Sequence, residues 1–174
     1  MHILLTAFEP FGGEETNITQ SVLSLLPDSI ADWALEKVCL PVSFKRAPIV
    51  LREAIATYTP DLVIMLGQCP AGENIRLERF AVNMMDSTKG DNDGYIPNEE
   101  TIYVHQPLAP QTPLPIKELV RFCTDHVQPA QVSNSEDCMS ATVCIMKRCI
   151  SNNGPSLCTY PKTCLPACLR ILLL

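Results

Sequence analysis

At 174 residues the chain has the length of one domain. Its 47 % hydrophobic and 18 % charged content excludes a chain kept unfolded by its charge. A net charge of −6, with no cluster of Lys and Arg, excludes the basic footprint of a nucleic-acid binder. No apolar run approaches the roughly 18 residues of a membrane span. The start, Met1 to Thr6, lacks the basic region of a signal peptide and reads as a strand. These features point to a cytoplasmic protein with neither nucleic-acid nor membrane partners.

The elements follow in order. Ile3 to Thr6 is the first strand, and Ala7-Phe8-Glu9-Pro10-Phe11-Gly12-Gly13 closes it. Two glycines let that backbone approach a ligand while the two Phe rings wall a pocket; an ordinary turn with two core aromatics fits the same residues. Asn17 caps a helix whose inward side carries Ile18, Val22, Leu25 and Leu26. Trp33 to Leu40 is a second strand, ended by Pro41. Ala47, Val50, Leu51, Ala54, Ile55 and Tyr58 recur at helical spacing, and Pro60 ends that run. Leu62 to Leu66 is too apolar for anything but a buried strand. The order βαβαβ predicts a mostly parallel sheet covered on both faces, an α/β/α sandwich in three layers.

Beyond Gly67-Gln68 lies a loop holding Pro70 and Gly72, then Ile75 to Val82, which alternates. If that run is extended, Leu77, Arg79 and Ala81 face one way and Glu78, Phe80 and Val82 the other. Glu78 is then a carboxylate on an otherwise apolar face, near a strand's C-terminal end, where such sheets bind ligands. The alternative is a solvated Glu on a strand edge. Residues 87–113 are polar and rich in Pro, Gly, Asn and Asp, an irregular excursion. Leu114-Pro115 opens a helix with Ile116, Leu119, Val120 and Cys123 inward, Pro129 stops it, and 131–134 starts another strand. The glycines fit neither a phosphate-cradling loop nor a dinucleotide fingerprint.

Taken together, T-A-F-E-P-F-G-G at 6–13, L-P-V at 40–42, G-Q at 67–68, E-R-F-A-V-N at 78–83, D-N-D-G at 91–94, L-P-I-K at 114–117 and V-S-N-S at 132–135 are similar to the pyroglutamyl peptidase I family. The resemblance covers residues 1–135, with Ala7 where the family usually has Gly. It implies a single α/β/α domain and a cysteine peptidase that removes N-terminal pyroglutamate, with no cofactor and no metal. Its substrates would be N-terminal pyroglutamyl peptides, and the family's bacterial members tend to be homo-oligomers. The family works with Cys, His and Glu. The thiolate attacks, the imidazole carries the proton to the leaving amine, and the carboxylate fixes the imidazole's tautomer. By resemblance Glu78 is that carboxylate, Phe8 and Phe11 wall the ring, and Gln68 helps to hold the lactam.

After V-S-N-S the resemblance breaks. Ala141 holds the place of the nucleophile and Thr159 that of the base, and no His follows His126. Six of the nine Cys crowd residues 136–174. Reading the last base of each codon with the first two of the next restores a family-like pattern. The pairs from Asp137/Cys138 to Ala141/Thr142 then allow L-Y-V-C-N, and those from Cys158/Thr159 to Tyr160/Pro161 allow His, an aliphatic residue and Pro. Residues 1–135 are therefore expected to form the α/β core, and 136–174 an aberrant, frameshifted, Cys-rich tail of the same domain. The chain as written would be inactive; a non-catalytic binder of pyroglutamyl peptides is the alternative function. A metal held by Cys144, Cys149, Cys164 and Cys168 competes for the tail, but no C-x-x-C pair supports it.

Overall fold

In the computed structural model, residues 1–69 and 74–134 are described, together with the backbone of a strand at Leu169–Leu173. Its centre is β1 (His2–Phe8), which pairs in parallel with β3 (Trp33–Leu40) on one side and β4 (Leu62–Gln68) on the other. A strand with neighbours on both edges and helices on both faces has no polar side to present. Ile3 to Phe8 is accordingly buried at every position. Beyond β3 lies the short antiparallel β2 (Ser29–Ile30). On the other flank come β9 (Leu169–Leu173), then β5 (Ile75–Glu78), then β8 (Ala130–Ser133) at the edge. Four of the six pairings are parallel; those of β2 with β3 and of β4 with β9 are antiparallel. β6 (Met84–Met85) and β7 (Glu100–Thr101) form a separate two-residue ladder within the excursion.

Three helices complete the layers. α2 (Ala47–Tyr58) covers one face, where Leu51, Ala54 and Ile55 pack on Leu4, Phe8, Leu40, Val63 and Met65. α1 (Ile18–Leu25) covers the other through Val22 and Leu23 against Ala7 and Leu66. α3 (Ile116–His126) shields β5 and β8 with Leu119, Val120 and Cys123 packed around Ile75 and Leu77. The expected three-layer α/β architecture is therefore present.

The boundaries have local causes. Asn17 caps α1, its Oδ1 accepting from the Thr19 amide at 3.0 Å and the Thr19 hydroxyl at 2.7 Å. Ser43 starts α2: its Oγ accepts from the Arg46 amide at 3.1 Å and its carbonyl from the Ala47 amide at 3.0 Å. Thr59, left-handed at φ 44°, ends that helix just before Pro60.

Three expectations need correction. Leu25 is 70 % exposed, and Leu23 takes the inward place in α1. The extended run does not reach Val82 as a sheet strand. The β5 ladder stops at Glu78, and residues 79–83 instead bond to 108–112 through Ala81 to Pro110, Asn83 to Leu108 and Thr112 to Arg79. Lastly, β5 runs against β1, β3 and β4, because six residues between Gln68 and Ile75 are too few for a parallel crossover.

Candidate active site

At the C-terminal ends of β1 and β3 three loops meet: residues 9–16, 41–46 and 91–95. They enclose a cavity of about 160 Å³ whose walls include Phe11, Val42, Phe44, Lys89 and Asp91. Gly12 and Gly13 adopt φ of 68° and 86°, a turn that side chains disfavour, and so bring Phe11 round to the cavity. Asp91 folds its own loop, since its Oδ1 accepts from the amides of Asp93 and Tyr95 at 3.0 and 2.9 Å. Its other oxygen accepts from the Phe44 amide at 2.8 Å, which fixes one aromatic wall. Phe44 in turn meets the Tyr95 ring edge-on at 6.5 Å, and the Lys45 ammonium lies 3.8 Å from that ring's centre. Outside, Arg46 donates two 2.8 Å bonds to Asp93. Each holds the other charged, Arg46 pushed up and Asp93 pulled down, chiefly by those hydrogen bonds. The Tyr95 hydroxyl donates to the Glu100 carboxylate, and that bond raises its pKa.

Phe11 and Phe8 are placed differently. Phe8 is 7 % exposed and its ring belongs to the cluster under α2. Its amide donates to Thr19 Oγ1 at 3.1 Å, locking the end of β1 to the start of α1, and Asn17 Nδ2 adds a 3.1 Å bond to the Glu9 carbonyl. Gln68 takes part in the same junction, where its Oε1 accepts from the Ile18 amide at 3.1 Å. Alternation along β4 turns Gln68 to the α1 face of the sheet, and Met65 to the α2 face.

Glu78 lies elsewhere. The register sets it level with Leu172, Leu172 with Met65, and Met65 with Thr6. It therefore shares the α2 face with Met65 and Phe8, three strands from β1, or roughly 14 Å. It is three residues, roughly 10 Å, back from the level of Gln68. The C-terminal end of β5 is thus not the edge that carries the Phe11 loop. Glu78 is 4 % exposed, so it is not a solvated edge residue. It pairs with Ser133 of β8, and the Arg79 amide donates to the Ser133 carbonyl at 2.8 Å. The structure thus brings Phe8 and Gln68 to one junction, leaves Phe11 at the cavity, and sets Glu78 where β8 ends.

Ala141 and Thr159, the places of nucleophile and base, lie outside the described residues, as do Cys144, Cys149, Cys164 and Cys168. Among the described residues no group of three or more His, Cys, Asp and Glu could hold a metal. Burial pushes the thiols of Cys39 and Cys123 up, with the charge of Glu9 adding to the effect at Cys39, so neither is an activated nucleophile. His105 is exposed in the excursion; His126, also exposed, stacks on Phe122 at 4.4 Å. Sequence reasoning missed Glu9, Val42, Phe44 and Asn92. The signal available was a carboxylate at a strand end together with the donor-rich D-N-D-G, but only the fold shows that they meet.

Residues 1–148 match the family model described as pyroglutamyl peptidase. This chain belongs to the pyroglutamyl peptidase family. A pyrrolidone-carboxylate peptidase of Thermococcus onnurineus is 45 % identical over 135 residues, which span 78 % of this chain and 68 % of that one. One from Enterococcus faecalis is 36 % identical over 133 residues, 76 % and 62 % of the two chains. The solved pyrrolidone carboxyl peptidase of Thermococcus litoralis superposes with a TM-score of 0.75 at 37 % identity, over 80 % of this chain and 66 % of its own. The aligned part thus spans about two thirds of these relatives' length. Membership of the family makes the parent chemistry that of a cysteine peptidase. No helix among the described residues is long and apolar enough to cross a membrane.

Proposed function

We propose that residues 1–135 carry the recognition half of a cysteine omega peptidase that removes L-pyroglutamate from the N-terminus of peptides. The match to the family model carries this reading. The cavity supports it: a pyroglutamyl ring is flat and uncharged, with one N–H and one C=O, and suits aromatic and apolar walls near backbone donors and acceptors. Phe11 walls the ring, Phe8 belongs to the core cluster on which the cavity's Val42 packs, and Gln68 holds the start of α1, at the far end of the loop that carries Phe11. Glu78 is the orienter of the imidazole. Its burial and its place beside Ser133, where the chain enters the segment of the missing nucleophile, favour that role.

The chemistry itself belongs to positions 141 and 159 of the shifted frame. With Ala and Thr there, the polypeptide as written lacks thiolate and imidazole and does not turn over, because a nucleophile and base act as one unit. A second reading, a non-catalytic binder of pyroglutamyl peptides, follows from the same pocket without the chemistry. The test is chromophore release from a pyroglutamyl amide, run on this polypeptide and on a version with the alternative frame restored from residue 136. The first should be silent and the second active and blocked by thiol reagents. Thiol-sensitive turnover by the first chain would overturn the proposed loss, and an inactive restored chain the assigned activity.

A further inference from the structure

Glu9, the first residue after β1, is not among the cavity's walls, and its carboxylate joins the three loops that form it. Its Oε1 accepts from the Val42 amide at 3.0 Å and from Asn92 Nδ2 at 3.1 Å. Asn92 returns the connection, because the same Nδ2 donates to the Pro10 carbonyl at 2.9 Å and its amide to the Val42 carbonyl at 3.0 Å. The Glu9 amide donates to the Leu40 carbonyl at 3.0 Å, so the residue is itself anchored to the end of β3. Val42 and Asn92 thus meet at one oxygen of Glu9, and Asn92 ties Pro10 to the same point. Each belongs to a different loop, and Phe11, Val42 and Asn92 line the cavity.

We infer that Glu9 is a positioning residue, a clasp that holds the loops of 9–13, 41–44 and 91–94 at the spacing a pyroglutamyl ring requires. The inference rests on the reading that this cavity takes the ring. Both bonds to the side chain end on a single acceptor oxygen, so the clasp needs an oxygen there and no charge. A carboxamide in the same place accepts the same two hydrogen bonds. Asn92 is the matching donor, and its removal leaves the carboxylate with one partner instead of two. The Val42 amide has no ladder partner past the end of β3, so without Glu9 the wall that carries Val42 and Phe44 keeps its bonds to Asn92 and Asp91 but loses its direct tie to the chain that follows β1.

The test compares the full chain with Glu9→Ala, Glu9→Gln, Asn92→Ala and the double alanine variant. Pyroglutamyl-alanine is titrated by calorimetry, and amide exchange is followed at Val42, Asn92 and Leu51. Glu9→Ala should weaken binding about tenfold, the equivalent of one net hydrogen bond. Glu9→Gln should bind like the parent, and the double variant no worse than the worse single one. Exchange at Val42 and Asn92 should quicken in Glu9→Ala while Leu51, in the core, keeps its rate. Unchanged binding by Glu9→Ala, with the parent binding normally, would overturn the clasp and leave the pocket's assignment standing. A parent that binds nothing would defeat the assignment, and the clasp would then fail if Val42 and Asn92 exchange alike in parent and Glu9→Ala. Quickened exchange at Leu51 as well would make Glu9 a general stabiliser, which also overturns the inference.

Discussion

Among the described residues, the two flanks of the sheet, under α2 and under α3, are packed to different degrees. Under α2, ten residues from Leu4 to Ala81 form one buried cluster, and Leu4, Leu40, Ala47 and Leu51 have no exposed surface. Under α3, among the described residues, Ile75, Leu77 and Ile116 are buried, while Leu119, Val120, Cys123 and Val132 are half-covered. The pocket with its glycine turn and clasped loops lies at the ends of β1 and β3, whereas Glu78 lies on β5, three strands from β1 on the same α2 face. A recognition site needs walls held to fractions of an ångström, and close packing beneath supplies that stiffness.

Truncations in the two clusters give the largest expected contrast. Leu51→Ala should lower the stability by about 3 kcal/mol, since a fully buried Leu leaves a cavity in a packed core. Leu119→Ala, half-covered, should cost about 1 kcal/mol. Urea unfolding of both variants measures the difference, and equal losses would remove the contrast. Asn17→Ala comes next, at about 1 to 2 kcal/mol, because a buried cap and its bond to Glu9 are lost together. Thermal unfolding would read it.

The Cys123 thiol gives a smaller effect, with a sign fixed by its burial. Its pKa is raised in the fold, so the folded state favours the neutral thiol. That contribution is present below the ordinary thiol pKa of about 8.5 and disappears as pH rises through the folded value. Stability should therefore fall from pH 7 toward pH 10, and Cys123→Ala should flatten part of the slope. The smallest effect belongs to Arg46→Ala on the first flank. Its pair with Asp93 is well exposed on both sides, and its removal should change stability by less than about 0.5 kcal/mol.

Much of the fold was legible from periodicity and punctuation. Trp33–Leu40 and Ala47–Tyr58 appear with the boundaries that Pro41, Pro60 and the spacing of apolar residues imply. Leu25 misled because Leu23, Leu25 and Leu26 offer one short helix two inward faces, and only contact with Ala7 and Leu66 decides between them. The direction of β5 was written in the short 68–75 connection, but alternation alone does not reveal it. Of the site residues, Phe11 at its glycine turn could be placed from sequence. Gln68 could not: an amide side chain at a strand end serves a ligand or a helix start equally well, and Ile18 occupies it here. Glu9 and Asn92 were hidden because they lie 83 positions apart and meet only when the excursion folds back over β1.

The central claim is that the well-packed flank recognises a cyclised glutamine cap. Calorimetric titration of this polypeptide with pyroglutamyl-alanine, beside glutamyl-alanine and a Phe11→Ala variant, tests it most directly. Saturable binding of the first peptide, none of the second, and clear weakening in the variant are predicted. Equal binding of the two peptides, or binding that Phe11→Ala leaves untouched, would contradict the account.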